Sequence, residues 1–212
     1  KSLESVLHMT TLPIEGTPLK ERFALTPDPP SWQNVLSTMA QPMGATGSLT
    51  VLKGTLAPQG AVIKASATTP ALCQHKGPAV VFDSLQEVSE RIDDPALAIT
   101  PDHVLVLRNA GPVGSGMPEA GSLPIPRYLA EQGVKDMLRV SDARMSGTAF
   151  GTVVLHCSPE AAVGGPLSLV KTGDLIELDL ADKKINLIVD ETILRDRRSS
   201  WRKPDVPQRG WQ

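Results

Sequence analysis

From Gly47 onward, short apolar runs are separated by Gly and Pro, a pattern that predicts many short strands. Leu49 to Leu52, Ala61 to Lys64, Ala79 to Phe82, His103 to Arg108, Met137 to Val140 and Thr152 to His156 each read as a strand. Leu175 to Leu180 and Lys184 to Val189 alternate on either side of Ala181-Asp182-Lys183, which predicts a hairpin. Helical spacing is rarer. Ser84-Leu85-Gln86-Glu87 forms a capping box and is followed by Val88 and Ile92, which share a face with Leu85. Pro124 to Glu131 predicts a second helix, closed by Gly133. This balance predicts a mixed α/β, β-rich fold around a mixed sheet or barrel, and not a doubly wound one. Residues 1–46 differ: Pro13, Pro18, Pro27, Pro29, Pro30 and Pro42 interrupt any long element, and only Ser31 to Gln41 could form a short helix. They read as a linker or N-terminal arm.

Composition narrows the functional classes. The chain has 212 residues, 41% of them apolar, enough to bury a core in one large domain or two small ones and too many for a disordered chain. With 21 Lys plus Arg against 23 Asp plus Glu, the net charge of −2 leaves no field for a phosphate backbone. Three Phe, three Trp and one Tyr are too few for base-stacking platforms. No apolar window approaches a membrane span. Two cysteines, Cys73 and Cys157, cannot form a disulfide scaffold and point to a cytoplasmic protein. A start at Lys1, with no basic-then-apolar leader, and an end at Gln212 read as a piece of something longer.

Several motifs mislead. Ser168-Leu169-Val170-Lys171 and Lys171-Thr172-Gly173 match elements of penicillin-recognising enzymes, but they share Lys171 and cannot form two walls of one site. Cys73-Gln74-His75 and His156-Cys157 lack zinc-site spacing. The basic Arg195 to Lys203 run reads as a solvated tail that could face another subunit. Gly111 to Glu119 carries more information: three glycines in six positions suit a tight turn with exposed N–H groups. After Met117-Pro118, the Glu119 carboxylate is a candidate Mg²⁺ ligand, its plainer reading being a solvent-facing Glu. A second loop, Val140 to Thr148, follows a strand and offers Ser146 beside Gly147. Spacing alone makes Ser146 a turn residue; a nearby cation would let it act as a base.

Taken together, these loops resemble the dehydratases that include dihydroxy-acid, phosphogluconate and sugar-acid dehydratases. The matching stretches are Gly54 to Lys64, Gly114 to Glu119, Ser141 to Thr148, Ser158 to Leu167 and Thr172-Gly173-Asp174, in order across Gly47 to Trp211. Asp142-Ala143-Arg144-Met145-Ser146-Gly147-Thr148 is most similar to the pentonate (arabinonate or xylonate) type. The branched-chain enzymes favour a Gly-richer loop.

The resemblance implies a swivelling β/β/α domain with a barrel-like sheet, occupying residues 47–212. It implies a hydro-lyase that dehydrates a 2,3-dihydroxy sugar acid to a 2-keto-3-deoxy acid. It further implies Mg²⁺ with Glu119 as one ligand, Ser146 as the base at C2, Thr148 assisting, and an iron–sulfur cluster, 2Fe–2S in preference to 4Fe–4S. Two cysteines outside any cluster motif depart from that pattern. The expectation is therefore a C-terminal domain whose cluster-binding N-terminal domain lies outside this chain, inactive alone and part of a homo-oligomer with no nucleic-acid or membrane partner. Rival expectations are a non-catalytic ligand-binding or regulatory module, a structural or oligomerisation domain, and a dihydroxy-acid dehydratase of branched-chain amino-acid synthesis.

Overall fold

The computed structural model describes residues 3–44, 47–116, 123–145 and 150–205. The chain divides into two compact units, 1–47 and 48–212.

In the first unit no described residue is buried. Its helix is α1 (Leu19–Leu25), where Thr26 at the C-terminus donates its hydroxyl to the Arg22 carbonyl. The helix expected over Ser31 to Gln41 is not formed. The Gln33 side chain accepts from the Val35 and Leu36 amides and donates to the Leu36 carbonyl, so it closes a local turn in place of helical bonds.

In the second unit, eight strands form a single sheet: β1 (Leu49–Leu52), β2 (Gly60–Lys64), β3 (Gln74–Phe82), β4 (Val104–Leu107), β5 (Arg139–Ser141), β6 (Val153–Ser158), β7 (Leu175–Asp179) and β8 (Lys184–Ile188). Their order is β1-β2-β6-β5-β4-β3-β7-β8. The four central strands β6, β5, β4 and β3 run parallel, and the flanking pairs are antiparallel. β3 pairs with β7 through Gln74–Pro78 and with β4 through Ala79–Phe82, so Pro78, which has no N–H to donate, stands where the strand changes partner. The two outer strands nearly close the sheet into a barrel. Lys53 bridges Lys184, and Thr55 exchanges hydrogen bonds with Leu187 through its hydroxyl. Gly54 is required at that seam, because a Cβ there would lie 2.0 Å from the Ile185 carbonyl oxygen. The expected β-rich, barrel-like α/β fold is the one observed.

Alternation along the strands sorts side chains into two cores. Ala79, Val104, Val106, Leu138, Val140, Val154, Ile176, Leu178, Ile185 and Leu187 fill the barrel. Val80, Phe82, Leu105 and Leu107 face outward and are covered by α2 (Leu85–Arg91), with Val88, and by α4 (Arg127–Glu131), with Leu129. A parallel strand covered on both faces reads as a continuous apolar run, and every residue of β4 is buried. The capping box forms as expected: Ser84 accepts from the Glu87 amide, and Glu87 reaches back to the Asp83 amide. α4 starts later than expected, at Arg127, because Pro126 disfavours helix at the residue before it. Between β4 and α4 lies the single turn α3 (Pro112–Ser115). The basic run is no free tail. Much of it belongs to α5 (Glu191–Ser200), where Arg197 forms an ion pair with Asp174 and donates to the Leu169 carbonyl.

Candidate functional site

β4 and β5 are parallel neighbours, so the loops that follow them leave the same end of the sheet, as does the segment after β6. Loops at the carboxyl ends of parallel strands are where open α/β sheets place their ligand sites. The candidate residues Glu119, Ser146 and Thr148 belong to the first two loops and lie outside the described residues. What the structure shows is how the roots of those loops are held.

The outgoing limbs are joined by two carboxylates. Asp142, 1% exposed, accepts from the Asn109 amide at 3.2 Å, the Ala110 amide at 3.0 Å and the Ala161 amide at 2.9 Å. One side chain of the second loop thus holds the first loop and the post-β6 segment. Burial pushes its carboxyl above the ordinary range, and the neighbouring Glu160 charge adds to this, against the lowering effect of the three amides. Glu160 in turn accepts from the Val113 amide at 2.9 Å and the Gly114 amide at 2.8 Å, capping α3 from another segment. The loop is tight here: a Cβ on Gly114 would stand 2.5 Å from the Asn109 carbonyl oxygen. Ala143 and Met145 pack into the outer core, which anchors the chain up to the residue before Ser146.

The return limbs are held by another group. Asp136 accepts from the Thr69 hydroxyl at 2.6 Å, the Thr152 hydroxyl at 2.7 Å and the Thr152 amide. It also receives the Arg139 guanidinium at 3.2 Å. Burial alone would raise the Asp136 carboxyl, but these donors outweigh it and hold the group below the ordinary range. Alongside the loops lies a cavity of about 550 Å³, lined by Asn109, Gly114 and Ser115 with Ser168, Trp201 and Arg202 among others.

Metal-binding capacity is limited. Among the described residues no group of three or more His, Cys, Asp or Glu could hold a metal ion. Asp142 and Glu160 direct their oxygens to backbone amides. Cys157 is fully enclosed, and burial followed by the Asp142 charge pushes its thiol far above the ordinary cysteine value. Cys73 is half-buried and directs its thiol to the Thr69 carbonyl. The described residues therefore fit neither an Mg²⁺ site nor an iron–sulfur cluster. In the Lys-Thr-Gly motif, Thr172 accepts from the Val81 amide, a structural role. No helix among the described residues is long and apolar enough to cross a membrane.

The family model described as "Dihydroxy-acid/6-phosphogluconate dehydratase C-terminal" matches residues 34–212. The chain belongs to this family. This dehydratase domain is 50% identical to the 6-deoxy-6-sulfo-D-gluconate dehydratase of Pseudomonas putida, over 98% of the chain and 36% of that protein. It is 42% identical to the L-arabinonate dehydratase of Rhizobium leguminosarum bv. trifolii, over 97% of the chain and 36% of that protein. With the dihydroxy-acid dehydratase of Methanothrix thermoacetophila it shares 38% over 98% of the chain and 38% of that protein. The dehydratase domain thus spans little more than a third of the length of these relatives.

Asp142 and Glu160 lie in stretches that carried the resemblance but were not read as site residues, and Asp136 and Arg139 were not singled out at all. The signal for Arg139 was present all the same, as a lone charge between Leu138 and Val140 in an apolar strand.

Proposed function

We propose that this chain is the C-terminal domain of a sugar-acid dehydratase, which removes water across C2 and C3 of a 2,3-dihydroxy acid. The observation that carries this reading is the 50% identity, over nearly the whole chain, to an enzyme named for a sulfogluconate, against 35–42% to four dihydroxy-acid dehydratases. The loop roots support it, since parallel strands with stitched loops suit a site shared with a second domain. In the proposed reaction the Ser146 alkoxide takes the C2 proton, the C3 C–O bond breaks, the departing hydroxide takes up that proton and leaves as water, and the resulting enol ketonises to the 2-keto-3-deoxy acid. Glu119 and Thr148 would line the same site. Mg²⁺, with Glu119 as one ligand and the others on a preceding domain of the same polypeptide, and an iron–sulfur cluster, 2Fe–2S, held by that domain would supply Lewis acidity. A cytoplasmic homo-oligomer completes the reading, and metal analysis with sedimentation of the whole enzyme checks those points.

The test uses the whole enzyme, purified without oxygen and supplied with Mg²⁺, on a panel of aldonates and branched-chain dihydroxy acids. Turnover of an aldonate that Ser146→Ala abolishes at matched iron content is the expected result. Undiminished turnover in the variant makes Ser146 a turn residue. Preference for a branched-chain dihydroxy acid moves the protein to amino-acid synthesis, and no conversion at all favours the binding-module reading.

A further inference from the structure

The Arg139 guanidinium touches the return limbs of both loops. Its Nη1 donates to the Leu123 carbonyl at 3.3 Å and its Nη2 to the Phe150 carbonyl at 2.6 Å. Leu123 follows Glu119 by four residues, and Phe150 follows Ser146 by four. The side chain is 11% exposed and rises from a strand whose other members are apolar or small. Its Nε is buried with no partner among the described residues.

A buried ion pair is a poor source of stability, since apolar side chains in place of both partners do as well or better, whereas removing one partner strands the charge of the other. An apolar side chain cannot donate to two carbonyls on two loops at once. A lysine cannot span them either, because it offers a single nitrogen where arginine has a planar fork. We infer that Arg139, seated by Asp136, is a positioning residue that ties the return limbs of the two loops, at Leu123 and Phe150, into one unit on which the proposed dehydration depends. This rests on the dehydratase reading of those loops.

The experiment compares the whole enzyme with its Arg139→Met and Arg139→Lys variants. Three quantities are read: melting temperature, kcat and KM for the best aldonate, and hydrogen exchange in peptides containing Leu123 and Phe150. Arg139→Met strands the Asp136 charge and melts lower; the variant that still folds loses about a hundred-fold in kcat with KM little changed, and exchanges faster in both limbs together. Wild-type kcat in a well-folded Met variant overturns the proposal, and so does faster exchange confined to one limb. Should the Met variant fail to fold, Arg139→Lys decides. A loss of kcat at wild-type melting temperature supports the tie, and full activity ends it. If the wild type dehydrates nothing, the proposed function fails, while the exchange data still decide whether Arg139 joins the limbs.

Discussion

Where the two loops leave the sheet, carboxylates accept from backbone amides; where they return, a guanidinium donates to backbone carbonyls. The difference follows from what the backbone leaves unpaired. Leaving β4, the chain turns into the single helical turn α3, whose first amides have no intrahelical partner, and Glu160 supplies one. Returning, the loops present the Leu123 and Phe150 carbonyls besides the Thr152 amide that Asp136 accepts, and a donor with a forked geometry serves both carbonyls. The outgoing root is also the better satisfied. Asp142 and Glu160 together receive five backbone amides, from Asn109, Ala110, Ala161, Val113 and Gly114. Arg139 keeps a buried nitrogen without a partner among the described residues. The outgoing root is thus expected to govern stability, and the return root geometry.

Removing Asp142 strains this comparison most. Asp142→Ala leaves three amides of buried or half-buried backbone without their acceptor and is expected to cost about 3 kcal/mol or more. Urea denaturation of the chain reads it directly. A loss below about 1 kcal/mol would mean that the three segments hold together without the carboxylate.

Glu160 tests whether charge or acceptance matters. Its Oε1 alone takes both the Val113 and Gly114 amides, and Oε2 adds only a longer 3.1 Å contact to Val113. Glu160→Gln therefore keeps the main acceptor, whereas Glu160→Ala loses the cap at about 1–2 kcal/mol. The expected order in urea midpoint is wild type, then Gln close behind, then Ala. If Gln falls as far as Ala, the negative charge at the start of α3 is the operative feature, and the hydrogen-bond account of this root is wrong.

These side chains show why the barrel could be read from sequence and its site only in part. Every residue of β4 is apolar, and β7 and β8 alternate, so covering and pairing follow from pattern alone. Errors arose where a side chain takes over a backbone bond. Gln33 replaces the helix expected at Ser31 to Gln41. Asp136 takes the Met137 amide, so β5 starts two residues after the expected Met137. Arg197 found a partner 23 residues earlier in the chain, a separation that no local pattern encodes. The roots of the site are of the same kind. Asp142 and Glu160 act on amides 19 to 47 residues away, and no spacing rule joins them.

The smallest expected effect, a difference of sign, distinguishes the two roots by pH. Asp136 has its carboxyl held below the ordinary aspartate value of 3.8 by the Thr69 and Thr152 donors and Arg139, despite burial. In that window the unfolded chain binds more protons than the folded one, so stability rises with pH. The contribution is complete above the ordinary value and is lost as pH falls through the depressed one. Asp142 has its carboxyl raised by burial and by Glu160, so there the folded chain binds more protons. Its contribution therefore falls as pH rises from 3.8 to the raised value, and stays lower above it. Asp136→Asn should then flatten the acid side of the stability profile, and Asp142→Asn should flatten the region above it, whatever each does to the overall level. Urea midpoints taken between about pH 3 and pH 6 measure both slopes. If the two variants change the slope with the same sign, then burial does not outweigh the three amides at Asp142, and the contrast between the roots lies in their donors alone.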